Sequence, residues 1–395
     1  MMSDHNSLAT VSAIIPTYNE AELVVAAVKS ALQQSWPSME VIVIDDGSTD
    51  DTRALLEPLS NRIRYVFQSN AGRPAARNRG LALATGEFVA FLDADDVWYP
   101  EKIARQLAGL KRHPEAGWAY CRAHLTDQKG TILKSSFWPD SFGTGQIGVS
   151  NIEDALMAGN LEIHTSTIVV RRDLLRSVGN FDESLATAQD TNMWIRIAHL
   201  SPILFMEETL ATWRLDTSVV FMDRMQSYNY AVNGLRARKN SLEAIGIDLD
   251  SSLVAQGVLR DAYLESALIE FGNGRTEEGQ GYWAKAIPAE APDPYSRLPK
   301  RLASFAIANA RYDPMGPARA ERNLEAILSQ LPLSTREQSK IATAAYCEMY
   351  DTVSYMYQLK GQRYLAAKFA WKSLLSGTTK WSNRGLWKRA FVAPP

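Results

Sequence analysis

The chain has 395 residues, 46% of them hydrophobic and 22% charged, with a formal net charge of -2. That is ordinary globular composition, with core material for two domains at roughly 100–200 residues each, and it offers no basic field that would single out nucleic acid as a partner. The two cysteines, Cys121 and Cys347, lie far apart without disulfide or metal-ligand spacing, no run approaches the ~18 apolar residues of a spanning helix, and the N-terminal stretch lacks a signal-peptide layout.

From residue 11 the pattern alternates between short apolar runs and helical periods. Residues 11–15 read as a strand ending at Pro16. Residues 20–34 read as a helix with Leu23, Val24, Ala27, Val28, Ala31 and Leu32 at steps of three and four. Residues 41–44 form a continuously apolar strand that stops at Asp45-Asp46-Gly47-Ser48, and a helix follows over 50–59 with Ser48, Asp50 and Asp51 as candidate caps. A strand at 63–67, a helix at 74–84 with Pro74 in its first turn, a strand at 88–92 and a helix at 100–111 complete the series. Such strand–helix alternation predicts a doubly wound, mostly parallel sheet with helices on both faces. Ligands bind such sheets beyond the carboxyl ends of the strands. The polar clusters at 17–20, 45–46, 70–77 and 93–96 all fall there.

Further on, 118–125 and 167–170 read as strands, 190–200 as a helix, and 135–150 as a Gly- and Ser-rich loop. After about residue 220 helices alone are expected, at 261–271, 319–330, 336–349 and 357–375. The segments 261–287 and 352–375 have the helix, Gly-containing turn and helix of a tetratricopeptide-type hairpin, without a clean 34-residue period. The expected division is therefore an α/β domain over 1–220 and an α-helical domain over 221–395.

The most chemically loaded stretch is Asp93-Ala94-Asp95-Asp96, three carboxylates leaving a core strand. Like charges this close push one another toward protonation unless a cation sits among them. On its own the pattern is equally a solvated loop with Asp96 capping the next helix.

The blocks PTYNE (16–20), DDGSTD (45–50), NAGRPAARNRGL (70–81), GEFVAFLDADD (86–96), GNFDE (179–183) and QDTNMWIR (189–196) resemble, in letters, order and spacing, the family 2 glycosyltransferases of the GT-A fold. The resemblance covers about residues 11–215. It implies an inverting, metal-assisted transfer from a nucleotide-diphosphate sugar, a UDP-sugar foremost, to a glycan or lipid-linked acceptor in polysaccharide or cell-envelope synthesis. Asp93 and Asp95 would hold Mn²⁺ or Mg²⁺. Pro16, Thr17, Tyr18, Glu20, Asp46, Gly72, Arg77, Asn78, Asp93, Ala94 and Arg214 would bind the nucleotide-sugar, with Asp46 on the base. Asp190 would be the catalytic base. Arg73 is similarly placed, and equally a surface cation. His164 either borders the acceptor pocket or is structural.

Two positions depart from the family's pattern. Gln189 stands where an acid precedes the base, and Asp216 where Arg-x-His is common after Arg214. They keep open a rival reading, a non-catalytic GT-A-like module that binds nucleotide or glycan. A signalling receiver domain fits less well, because the acidic pair follows the second strand.

Beyond Asp351 there is no acidic residue, while Lys360, Arg363, Lys368, Lys372, Lys380, Arg384, Lys388 and Arg389 accumulate among Trp371, Trp381 and Trp387. That composition suits either peripheral contact with an anionic leaflet or a solvated basic helix. Absence of liposome binding would remove the first. The localisation expected is cytoplasmic, with this tail toward the inner face of the membrane.

Overall fold

In a computed structural model, residues 9–127, 129–137, 148–157, 163–214, 228–249, 252–272, 274–287, 298–299, 302–303, 316–359, 368–370 and 372–373 are described. They fall into two compact units, the first running to Arg214 and taking in 233–258, the second made of 228–232 and the residues from 259 onward.

The first unit is built on one ten-stranded sheet. Strands β1 (Val11–Thr17), β2 (Met39–Asp45), β3 (Arg64–Phe67) and β4 (Phe88–Phe91) are all parallel, in the order β3-β2-β1-β4. Their near-continuous Val, Ile and Phe runs are what strands covered on both faces require. Val11, Ala13, Ile15, Val41 and Val43 point into one core with α1 (Ala21–Leu32) and α4 (Lys102–Arg112). Ile14 faces the other side. There Gly80 of α3 (Arg73–Leu83) comes so near that a Cβ would lie 2.4 Å from Ile14 Cγ2. A short helix, α2 (Thr52–Leu56), continues as a 3-10 turn.

Beyond β4 the sheet becomes mixed. Strand β9 (Ile168–Arg171) runs antiparallel to β4 and to β6 (Trp118–Thr126), and β6 pairs in parallel with β10 (Ile203–Arg214). The edges carry β5 (Val97–Trp98), β7 (Ile132–Phe137) and β8 (Gly148–Ser150), all antiparallel. Helices α5 (Glu153–Met157), α6 (Arg172–Val178) and α7 (Gln189–Leu200) follow in the second half. On the α7 side Phe91, Phe181 and Trp194 pack edge-on or tilted, with Trp118 against Trp194.

Three expectations need correction. The stretch 135–150 is not simply a loop: its described ends are β7 and β8, because 132–137 finds a ladder against β6, and residues 138–147 lie outside the described set. The twelve-residue β10 was not anticipated, since Glu207-Glu208 interrupts its apolar pattern. Its register shifts there, which turns both acids outward. Third, 336–349 and the start of 357–375 belong to one helix, Thr335–Leu359, because no Gly or Pro breaks it and Met349 and Val353 stay on its buried side.

Helix α8 (Tyr228–Ala244) follows, and from Asn233 on it belongs with the first unit. Asn192 Nδ2 of α7 donates to Ala237 O and Ser241 Oγ, Asn233 Nδ2 to Thr187 Oγ1, and Asn240 Nδ2 to Asp182 Oδ2.

The second unit is helical. Helices α9 (Leu253–Gly272) and α10 (Thr276–Ala286) form the hairpin expected at 261–287, turning at Gly274 with φ +72°. Gly279 of α10 packs directly on Phe271. Helices α11 (Gly316–Gln330) and α12 (Thr335–Leu359) share that core through Leu324, Ile327, Ile341 and Ala345. Of the basic tail, Lys372 is described, and its Nζ donates to Glu321 at 2.7 Å. Trp371, Trp381 and Trp387 lie outside the described residues. Among the described residues no helix is long and apolar enough to cross a membrane.

Candidate active site

The parallel sheet reverses its winding between β1 and β4, so a crevice opens at their carboxyl ends. Ladder contacts between the two stop at Ile14 and Phe91, two residues before Pro16, while β1 stays paired with β2 as far as Thr17 and Asp45. Thr17 is buried with an unpartnered Oγ1, whereas Tyr18 is 48% exposed on the crevice rim. Asn19 turns the chain at φ +54°, an αL position Asn tolerates, and its side chain receives Thr49 N–H.

At the end of β2 the two acids do different work. Asp45 accepts from Ser48 N–H and from Tyr65 Oη–H. Asp46 accepts Gln68 Nε2–H and Ala71 N–H on one oxygen and Gly72 N–H on the other. A carboxylate offers about four lone-pair directions, so Asp46 organises the 68–72 loop and keeps one site free on Oδ2. Gly47, at φ +87°, allows that approach: a Cβ there would meet Asn70 N at 2.7 Å.

The same loop starts α3, with Gly72 at φ +92° and Arg73-Pro74 in the first turn. Arg77 is 1% exposed, and its Nη2 donates to Asp93 Oδ1 at 2.6 Å; its Nε and Nη1 have no partner. Asn78 faces elsewhere. Its amide donates to Phe181 O and Glu183 Oε1 and accepts Phe181 N–H, bracing α3 against 179–183. Arg73, in the first turn of α3, is exposed. Its guanidinium is held in the charged form chiefly by the charge of Asp93, with Asp95, Glu20 and Asp190 adding.

After β4 the four residues 93–96 separate in role. Burial pushes the Asp93 carboxyl up, but the charges of Arg77 and Arg73 outweigh it and hold it at about 2. Ala94 is buried. Asp95 is raised, by burial first and then by the charge of Asp93, against the pull of Arg73 and Arg214. Asp96, fully enclosed, is raised furthest, by burial and by its two acidic neighbours.

Asp96 is a clasp. It accepts Ser166 Oγ–H at 2.5 Å and Arg214 N–H at 2.9 Å, while Ser166 Oγ accepts Asp93 N–H. One carboxylate thereby joins the end of β4, the 3-10 turn at Thr165–Thr167 and the end of β10. Trp98 Nε1–H donates to Ser166 O and locks the same turn from behind.

His164 precedes that turn, its ring 4.8 Å from Trp213. Burial lowers its pKa to about 4 against the opposing charges of Asp93 and Asp190, so it is neutral at physiological pH. Asp190 lies in the first turn of α7, where its Oδ1 accepts Thr191 N–H. The residue before the helix, Ala188, adopts φ +59°, a left-handed strain of the kind that collects at working sites. Gln189 is buried with Oε1 unpartnered.

The structure therefore draws Glu20, Arg73, Arg77, Asp93, Asp95, Asp96, His164, Asp190 and Arg214 into one electrostatic neighbourhood. Asp216 lies outside the described residues.

Comparison with known proteins decides the family. The family model described as glycosyl transferase family 2 matches residues 12–178. An uncharacterized glycosyltransferase of Rickettsia prowazekii is 30% identical over 241 residues, 60% of this chain and 74% of its own length. The chain belongs to glycosyl transferase family 2. The transferase is also 33% identical over 211 residues to the putative teichuronic acid biosynthesis glycosyltransferase TuaG of Bacillus subtilis, 52% of this chain and 79% of that protein. In fold it is similar to the mannosyltransferase PcManGT of Pyrobaculum calidifontis in complex with GDP-Man and Mn²⁺, at TM-score 0.51 and 19% identity, over 82% of this chain and 87% of that one.

The transferase has the donor atoms a divalent cation needs. Among the described residues, one atom each from Asp93, Asp96 and His164 lie within 4.8 Å of one another. Carboxylate and imidazole together suit Mn²⁺ and its neighbours in the first transition row. Asp95 is outside that trio, though it shares the charge of the site.

Proposed function

We propose that this transferase moves a sugar from a nucleotide-diphosphate donor, a UDP-sugar foremost, to a hydroxyl of a glycan or lipid-linked acceptor, with inversion at the anomeric carbon. The observation that carries the reading is the pairing of Arg77 with Asp93: the guanidinium, 1% exposed, lies 2.6 Å from the carboxylate at the end of β4 and keeps its buried Nε and Nη1 without partners, donors that suit a diphosphate there.

On this reading Asp190 takes the proton from the acceptor hydroxyl, whose oxygen attacks the anomeric carbon while the bond to the diphosphate oxygen breaks. Arg73 and the unpartnered Nε and Nη1 of Arg77 face the charge that develops on the leaving group. A divalent cation held at Asp93 and Asp95 would neutralise part of that charge. Tyr18, exposed on the rim, offers a face for the base, and the remaining acceptor site of Asp46 suits a base N–H. The likeness to a teichuronic acid enzyme favours polysaccharide or cell-envelope synthesis.

Calorimetry of UDP, GDP and dTDP, with and without Mn²⁺, tests the donor side. One diphosphate should bind in a Mn²⁺-dependent way, and Asp95→Ala should abolish the dependence. Failure of all three to bind under either condition would refute the assignment.

A further inference from the structure

We propose that His164 is a nitrogen ligand of the cation, and that it makes the site prefer Mn²⁺ over Mg²⁺. This rests on the reading above that a cation accompanies the donor at Asp93, and it adds His164, with Asp96 beside it, and a metal preference to that reading.

Three observations meet at this side chain. The first is convergence. A ring nitrogen of His164 and one oxygen each of Asp93 and Asp96 lie within 4.8 Å of one another. His164 Nδ1 and Asp96 Oδ2 are themselves 3.6 Å apart, so the three donors open onto one shared volume.

The second is an unmet hydrogen-bonding demand. His164 Nδ1 is shut away from solvent with no partner, 3.6 Å from Asp96 Oδ2, beyond hydrogen-bond reach. A buried polar atom left so keeps its desolvation cost uncompensated. The surroundings do not let it relax, since the ring lies against Trp213 and Asp96 is fixed by Ser166 and Arg214.

The third lies beside Asp93. Arg77, 1% exposed, keeps two donors without partners next to the carboxylate it pairs with. Unpartnered buried guanidinium N–H groups call for an anion. A cation among the acids and His164, carrying phosphate oxygens toward Arg77, answers both demands together.

The consequence is selectivity. An all-carboxylate site serves Mg²⁺ and Mn²⁺ alike, whereas an imidazole nitrogen favours the transition metal.

The direct test is pulsed electron paramagnetic resonance of the full chain with Mn²⁺ and UDP, and in parallel with GDP. The wild type should show the hyperfine coupling of one directly bound imidazole ¹⁴N. His164→Asn, which keeps a polar side chain of similar size and whose folding is checked by circular dichroism, should lose that coupling. The other four histidines of the chain remain in it as internal controls. In calorimetry the Mn²⁺/Mg²⁺ affinity ratio should fall about tenfold in the same variant. Mn²⁺ bound without nitrogen coupling in the wild type, or coupling retained in His164→Asn, would overturn the assignment and leave the cation on carboxylates alone. Absence of bound Mn²⁺ with either diphosphate would overturn both this assignment and the cation of the proposed function.

Discussion

Asp190 and Asp93 are both carboxylates in one crevice, yet their surroundings fit them for opposite work. Asp93 is held ionised by Arg77 and Arg73 and is occupied, while Asp190 accepts a single described bond, from the N–H of the next residue, and keeps lone pairs for a proton. Asp190→Asn is accordingly expected to lower transfer by about 10²- to 10⁴-fold while leaving diphosphate affinity within about threefold of the wild type. Parallel kinetics and calorimetry check this, and equal loss of both would make Asp190 a binding residue. At this scale the short polar blocks of the sequence were readable as positions: 45–46, 72–78, 93–95 and 190 fall at the ends of β2 and β4 and the starts of α3 and α7. What it could not show were partners brought from afar. Asp96 meets Ser166 and Arg214, 70 and 118 residues away, so nothing near Asp96 distinguishes a clasp from a helix cap. Arg73 read as an even choice because its acids come from three separate segments. Asn78 read as a ligand contact because its partner loop is more than 100 residues on.

At the level of elements, the first four strands and their helices were legible because each buried strand is a continuous apolar run and each helix keeps a three-to-four period. Strand β10 was not, because Glu207 and Glu208 sit inside it and are turned outward only by the register shift against β6. The inner face of α4 holds a similar surprise. Lys102 is fully buried, its Nζ bonded to Gln106 Oε1 at 2.7 Å and 4.5 Å from the ring centre of Trp98. Burial lowers its pKa to about 8, below the ~10.4 of an unfolded chain. Between those values the unfolded state binds more protons, so this lysine's cost is complete below pH 8 and fades as pH rises. Lys102→Met should therefore compare best with the wild type near pH 7. The difference in unfolding free energy should shift toward the wild type by on the order of 3 kcal/mol by pH 10. Denaturant melts at both pH values measure it, and a pH-independent difference would place a neutral lysine there from the outset.

For the whole molecule, the change from alternating to purely helical patterning near 220 pointed to two domains, and two compact units are present. We propose that the catalytic unit extends to 258, since α8 is tied to α7 and its preceding loop by Asn192, Asn233, Asn240 and Ser241. Those polar ties carry no apolar periodicity, which is why composition alone stops short of them. A fragment 1–258 should unfold cooperatively and bind diphosphate as the full chain does. A fragment 1–220, with Asn192 left without its buried partners, should melt lower, by about 1–3 kcal/mol for each unsatisfied group. Equal melting of the two would return the boundary to 220.

The most direct measurement for the central claim is donor turnover. Wild-type protein with Mn²⁺ is incubated with UDP-glucose, UDP-N-acetylglucosamine or GDP-mannose, with water standing in for the acceptor, and proton magnetic resonance follows the first sugar formed. The account predicts slow release of diphosphate from one donor and an anomeric configuration opposite to that of the donor. Diphosphate binding with no donor consumed would contradict it and make the crevice a binding module, and a product of retained configuration would remove Asp190 as the base.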